Sequence, residues 1–293
     1  GCGMMDCKKA LTETDGDFEA AVKYLREKGM AATAKKADRI AAEGIVDIMT
    51  IGNTTAIVEV NSETDFVAKN ATFQEFVKEI LKTIIANKPA DVDALLASNY
   101  VAGGVVSEAL AEQIYKIGEK LSIRRFVIVE GTVSTYIHGM GATGVIVSFD
   151  TDVADKDGFA ECAKNVALQT AAMDVKYLDK ESVPASVLAE EEAILIKQME
   201  QDPKFANKPA KVLEGIVTGK LGKYYENNCL LEQAYVKDDK LTVGKYVEAS
   251  AKEFGGKIKV VSFTLFEKGE GLQKRDTPNF RHREHSAYQG VPP

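Results

Sequence analysis

The sequence predicts an α+β protein with a small helical head, a core built from two related hairpin-loop-helix subdomains, and an antiparallel helical arm. Three observations carry this prediction. Apolar residues recur at helical spacing near the start. A strand-turn-strand-helix pattern occurs twice, with Glu43 and Glu130 at equivalent places 87 residues apart. Two helical stripes between about 184 and 228 are separated by Pro203 and Pro209.

The head occupies residues 1–29. Met4, Cys7 and Leu11 share one helical face, and Thr14-Asp15-Gly16-Asp17 forms a turn. Asp17 is placed to cap a second helix with the apolar stripe Phe18, Ala21, Val22 and Leu25, and Gly29 is placed to stop it. Two such helices cannot cover both apolar faces, so a third is wanted, and the chain begins too late to supply it. Residues 30–42, rich in Ala and Lys, read as a helical connector.

From Glu43 the period becomes that of a strand. Gly52-Asn53 signals a tight turn, Ala56 to Val60 is an apolar strand, and an amphipathic helix runs from about Phe73 to Ile85. These lie in core subdomain N, residues 43–129. The second copy opens subdomain C at 130–183 and matches without a gap at Glu43/Glu130, Gly44/Gly131, Val46/Val133, Gly52/Gly139, Val58/Val145, Val60/Val147, Thr64/Thr151 and Asp65/Asp152. After a one-residue slip the helices match as well, at Phe73/Phe159, Glu75/Glu161 and Lys78/Lys164.

The arm spans 184–228. Leu188, Leu195 and Met199 make one stripe, and Leu213, Ile216, Val217, Leu221 and Tyr224 make the other, in the manner of an antiparallel coiled coil. Residues 229–272 return to subdomain C through a strand over Val260 to Phe266. Residues 273–293 form an irregular tail containing Pro278 and Pro292-Pro293.

Composition narrows the function classes. A chain of 293 residues holds two or three domains. A net charge of -7 disfavours a surface devoted to nucleic-acid phosphates and favours a protein partner. No apolar run approaches the roughly 18 residues of a membrane span. The first residues lack the marks of a secretory or transit segment, which points to the cytoplasm. Cys2, Cys7, Cys162 and Cys229 have neither zinc nor disulfide-framework spacing, and read as small hydrophobes or incidental thiols.

Two phosphate-binding look-alikes fail on context. Gly139-Met140-Gly141-Ala142-Thr143-Gly144 fits the dinucleotide fingerprint G-x-G-x-x-G and would suggest an oxidoreductase. That chemistry needs a helix directly after the glycines, whereas Val145-Ile146-Val147 continue as strand and the repeat aligns the motif with the first hairpin's turn. Gly215 to Lys220 resembles a P-loop but is one residue short and has no Ser or Thr after the lysine. No nucleotide, cofactor or metal is expected on this chain. Of its three histidines, His282 and His285 fall in the tail, while His138 stands at a hairpin tip as either a surface contact or a turn residue.

The two copies diverge after the shared Thr-Asp: the first continues Phe66-Val67-Ala68, the second Val153-Ala154-Asp155. The flanking residues are polar and loop-like. Phe66 is therefore either an exposed interface anchor at a strand end or an aromatic folded onto its own core, and the residues alone leave both open.

The segments Met4-Met5-Asp6-Cys7-Lys8-Lys9-Ala10-Leu11, Glu59-Val60-Asn61-Ser62-Glu63-Thr64-Asp65-Phe66-Val67-Ala68 and Leu230-Leu231-Glu232-Gln233-Ala234-Tyr235-Val236-Lys237-Asp238 resemble the signatures of the bacterial elongation factor Ts family, over residues 2 to about 275. The resemblance implies a ubiquitin-associated-like head whose first helix is missing from this chain, and a non-enzymatic guanine nucleotide exchange factor for elongation factor Tu. Such a factor binds the GDP form, dislodges magnesium and GDP, and stabilises the empty form until GTP binds. It also implies that Thr64, Asp65, Phe66 and Val67 press beside the partner's nucleotide site, with further contacts at Met4, Met5 and His138. A ubiquitin-type binding module, read from the head alone, is the rival that leaves the repeat unexplained.

Overall fold

The computed structural model describes residues 4–205 and 208–273. Helix α1 (Met4–Glu13) meets α2 (Phe18–Lys36) through a turn in which Asp15 and Gly16 take positive φ. Asp17 caps α2 as the sequence predicts, its side chain accepting the Ala20 N–H at 3.0 Å. Gly29 does not stop the helix, which continues to Lys36, and the predicted connector is helical only that far. Ala21 is buried on α2, but Phe18 of the predicted apolar stripe is 74% exposed.

Strands β1 (Glu43–Ile51) and β2 (Thr54–Ser62) form the first hairpin, with Ile51 paired to Thr54. Every residue of β2 is buried. The single turn α3 (Asp65–Ala68) leads to α4 (Ala71–Asn87), whose N-cap Asn70 accepts the Thr72 N–H at 2.8 Å. The inward stripe of α4, which includes Phe73, Val77, Ile80 and Ile84, packs with Val58 and Val60 of β2 in one core.

The sequence reading left 89–129 without elements. The structure places there α5 (Val92–Ala97), α6 (Val106–Ile117) and β3 (Leu121–Glu130), the last pairing antiparallel with β2 to complete a sheet of order β1-β2-β3. Helix α6 packs against α2 and covers the head from within the chain, a helix that the sequence reading did not place there. Tyr115 donates its hydroxyl to Asp6 at 2.8 Å, and Arg26 pairs with Glu108 at 3.6 Å. A Cβ at Gly29 would sit 3.3 Å from the Ala111 carbonyl oxygen, so this glycine serves close helix approach and not termination.

The second hairpin is β4 (Thr132–His138) and β5 (Thr143–Thr151), followed by α7 (Phe159–Ala172). Its turn holds residues 139–142, where the first hairpin turns on 52–53 alone, because His138 pairs with Thr143 whereas Ile51 pairs with Thr54. The two registers therefore differ by two positions, a slip that keeps every side chain on its face. Glu130 ends β3 and does not open the second hairpin.

Helices α8 (Ala185–Gln201) and α9 (Ala210–Asn228) follow, packing together with Leu195, Met199 and Val217 buried. Asp202 ends α8 and Pro209 precedes α9, as the breakers predict. Beyond a 3-10 turn over Leu230–Glu232 come β6 (Ala234–Tyr235), β7 (Asp238–Thr242), α10 (Val243–Phe254) and β8 (Ile258–Glu267). Strand β8 contains the predicted return strand and pairs antiparallel with β5, giving a second sheet of order β4-β5-β8. Among the described residues the fold is thus a mixed α+β arrangement of ten α-helices and three small antiparallel sheets.

The two larger sheets meet through Val46, Ile57, Ile146 and Phe266. The glycine motif lies at this meeting: Gly141 accepts the Val46 N–H at 2.8 Å, and a Cβ on Gly144 would fall 2.5 Å from Val46 Cγ1. Thr143 and Gly144 belong to β5, so no helix follows the glycines and the dinucleotide reading fails on geometry. A second tie is the buried Glu59 of β2. Its carboxylate accepts Arg124 at 3.0 Å and Arg125 at 2.7 Å from β3, Asn61 at 2.9 Å, and the Gly269 N–H at 2.8 Å from the turn after β8.

Cys162 and Cys229 are free and buried, matching the small-hydrophobe reading, whereas Cys7 is disulfide-bonded, which the spacing did not indicate. Cys2, His282, His285 and all of the predicted tail except Gln273 lie outside the described residues.

Candidate functional site

The segment after β2 is a single helical turn and not the loop that its polar flanks predict. Thr64 is extended (φ -128, ψ 156) and Asp65 to Ala68 are helical. Asp65 lies in the first turn, where a carboxylate is favoured, and pairs with Lys69 at 2.7 Å across an i, i+4 spacing. The Lys69 hydrogen bond and charge hold the Asp65 carboxyl below its ordinary range.

Val67 and Ala68 point into the first sheet's core, at 8% and 7% exposure. Successive helical residues step by about 100°, so anchoring these two side chains turns Phe66 outward. Phe66 is 79% exposed, which decides between its two placements. The ring stands free on a turn whose neighbours are fixed.

Both ends of the turn are tied from outside. Behind it, Gln74 of α4 donates to the Ala68 carbonyl at 3.1 Å. In front, Glu119, between α6 and β3, accepts the Thr64 N–H at 3.0 Å and the Thr64 hydroxyl at 2.7 Å. Glu63 accepts the Lys120 N–H at 2.7 Å and Arg39 at 3.2 Å, while Lys120 Nζ reaches the Arg39 carbonyl at 2.9 Å. Residues following α2 are thereby joined to the base of the Phe66 turn. Neither Glu119 nor Lys120 was singled out in the sequence. The one signal was Gly118, a suitable left-handed end for α6, and it marks a chain reversal without naming its partner.

The other candidates occupy separate elements. Met4 and Met5 open α1 at 87% and 73% exposure. His138 is exposed at the end of β4, with Nδ1 3.2 Å from the Tyr136 hydroxyl. Beside it Met140, which sequence reasoning passed over as part of the glycine motif, is 83% exposed at the hairpin tip. Three surfaces result: the start of α1, the Phe66 turn and the tip of the second hairpin.

These surfaces suit binding. The Phe66 turn presents an exposed apolar ring beside the Asp65 carboxylate. Gly215 to Lys220 lie inside α9, where no loop is available to cradle a phosphate. Among the described residues no cluster of three or more His, Cys, Asp or Glu could hold a metal ion, and no helix is long and apolar enough to cross a membrane.

Comparison with known proteins agrees with the resemblance in the signatures. The family model described as Elongation factor TS matches residues 63–270, which include the Phe66 turn, the second hairpin, α8 and α9. The chain is 46% identical over 280 residues to an Elongation factor Ts of Syntrophotalea carbinolica, covering 94% of this chain and 91% of that protein. Elongation factor Ts of Clostridioides difficile is also 46% identical over 280 residues, and that of Clostridium kluyveri 44% over 283, with the same coverage in both cases.

Proposed function

The chain belongs to the elongation factor Ts family, and from that premise we propose that it binds elongation factor Tu and acts on it as a non-enzymatic nucleotide exchange factor. It engages the GDP form, dislodges magnesium and then GDP, and holds the empty form until GTP arrives. The observation that carries this reading is Phe66, 79% exposed on a turn whose neighbours Val67 and Ala68 are buried. A fixed, solvent-facing aromatic is built to enter a pocket on another protein.

No catalytic group is required on this chain. A nucleotide-binding partner holds GDP through loop amides and a magnesium ion whose charge contributes much of the affinity. A factor that prefers the empty partner weakens GDP binding by the same factor by which GDP weakens its own. Thr64, Asp65, Phe66 and Val67 are the residues proposed to press beside the magnesium site.

Shifting such an equilibrium from one extreme to the other takes about 5.5 kcal/mol of differential binding. Burying one Phe supplies roughly 1.5 to 3 kcal/mol, so further surfaces must contribute. Met4 and Met5, on a head of ubiquitin-associated type, and His138, at the tip of the second of two related subdomains, are proposed as two of these contacts. Helices α8 and α9 are proposed to form a coiled-coil arm beyond the core.

The test is release of a fluorescent GDP analogue from elongation factor Tu in the presence of excess unlabelled GDP. Acceleration that rises with the concentration of this protein and then saturates is the expected result. An unchanged release rate at micromolar concentrations overturns the proposal.

A further inference from the structure

We propose that Glu119 is a positioning residue for Phe66: it grips the residue ahead of the α3 turn, so that the ring stands in one place when the partner arrives. This rests on the reading of Phe66 as the intruding side chain.

A single helical turn has almost no stability of its own, because nucleation costs more than its few hydrogen bonds return. At the end of α3 the Lys69 N–H donates to the Asp65 carbonyl at 3.3 Å and the Asn70 N–H to the Val67 carbonyl at 2.9 Å, and the Asp65–Lys69 ion pair spans the turn. Thr64 occupies the N-cap position, yet its side chain makes no bond to the turn. Its hydroxyl and its N–H are both given to Glu119, 55 residues away, at 2.7 and 3.0 Å.

The arrangement is reciprocal. Glu119 holds the amide beside Glu63, while Glu63 holds the amide beside Glu119, accepting the Lys120 N–H at 2.7 Å. Val67 and Ala68 fix the rear of the turn by burial, and the front is held by this clamp together with the Ser62 hydroxyl, which donates to the Thr64 carbonyl at 2.9 Å. Without Glu119 the Thr64 N–H and hydroxyl lose their acceptor, and the turn can pivot about its buried half, carrying the ring away from its working position. A displacement of about 1 Å is enough to cost a substantial part of a positioned group's effect.

The experiment measures stimulated release of the fluorescent GDP analogue across factor concentrations, separating the maximal rate from the half-saturating concentration, with melting curves on every variant. Glu119→Ala is expected to lower the maximal rate by roughly three- to tenfold, as for the loss of one or two hydrogen bonds, with the half-saturating concentration little changed. Glu119→Gln is expected to restore the rate, since an amide accepts from the Thr64 N–H and donates to its hydroxyl. Thr64→Val should reproduce part of the loss. In a Phe66→Ala background, Glu119→Ala should add nothing.

A full rate in both Glu119→Ala and Thr64→Val overturns the positioning role. So does a loss in Glu119→Gln as large as in Glu119→Ala, which would assign the effect to charge. A loss that persists undiminished in the Phe66→Ala background overturns it as well. If Glu119→Ala does not fold, Thr64→Val and Glu119→Gln decide the matter. Phe66→Ala alone separates the two levels of the argument: a normal rate there overturns the Phe66 reading and this proposal together, whereas a slow Phe66→Ala beside a normal Glu119→Ala removes only the latter.

Discussion

Arg125 Nε donates to Glu59 at 2.7 Å, and the carboxylate that receives it has no solvent exposure. The same guanidinium also donates to Glu270 at 2.9 Å and lies 4.1 Å above the Phe266 ring, so one side chain spans both sheets.

Removing the Glu59 carboxylate takes the buried acceptor from Arg124, Arg125, Asn61 and the Gly269 N–H at once, leaving the two arginines their hydrogen bonds to the segment 267–270. Glu59→Ala is expected to cost about 3 to 5 kcal/mol, measured by denaturant unfolding. The pH dependence follows from the sign of the pKa shift. Burial pushes the Glu59 carboxyl up, but hydrogen bonds from Asn61, the Gly269 amide, Arg125 and Arg124 outweigh it and hold the pKa below the ordinary 4.5. A depressed carboxylate contributes stability that is fully present above its unfolded pKa and is lost as pH falls through its folded value. The stability difference between wild type and Glu59→Gln should therefore be flat from neutral pH to about 5 and shrink below about 4.5. A difference that grows in acid would reverse the assigned direction.

Glycines in this chain serve opposite ends, and a paired substitution separates them. A Cβ at Gly144 would lie 2.5 Å from Val46 Cγ1 and 3.1 Å from Ile57 Cδ1, both buried, so Gly144→Ala should destabilise by about 1 to 3 kcal/mol. Gly215, inside α9, has nothing within 4 Å of that position, and Gly215→Ala should stabilise by about 0.4 to 1 kcal/mol. Thermal melts of the two variants should shift in opposite directions.

Phe66→Ala should leave stability within about 0.5 kcal/mol of wild type, since an exposed ring contributes little packing. Stimulated GDP release should nevertheless slow by more than tenfold, equivalent to about 1.4 kcal/mol. Phe66→Val, which carries the second copy's residue, keeps an apolar side chain and shortens only its reach. It should be slowed nearly as much. A large drop in melting temperature with normal exchange per folded molecule would refute the wedge.

His138 ends β4 of the second sheet and Phe66 lies on the α3 turn that follows β2 of the first, and the two side chains are expected to meet different parts of the partner. His138→Ala should weaken complex formation by about 1 kcal/mol in an equilibrium titration. An unchanged affinity assigns His138 to its turn and to the Tyr136 hydroxyl beside it.

By itself the sequence determined the order of most elements and the family. Helix caps, two-residue turns and amphipathic stripes are local signals, so Asp17, Gly52-Asn53 and the α4 stripe were legible from their neighbours. What it left open was settled by residues far apart in the chain. Gly29 has the type of a helix stop, and only the approach of Ala111 makes it a packing glycine in mid-helix. Thr64 to Val67 read as a loop because a four-residue turn has no period to detect, and its stability comes from burial of Val67 and from Glu119, 55 residues away. Glu59 alternates like any strand residue, and its burial beside Arg124, Arg125 and Gly269 exists only once the two sheets have closed. Such contacts follow from the path of the chain in space, which local spacing does not encode, and on that path depended whether Phe66 faced the core or the solvent.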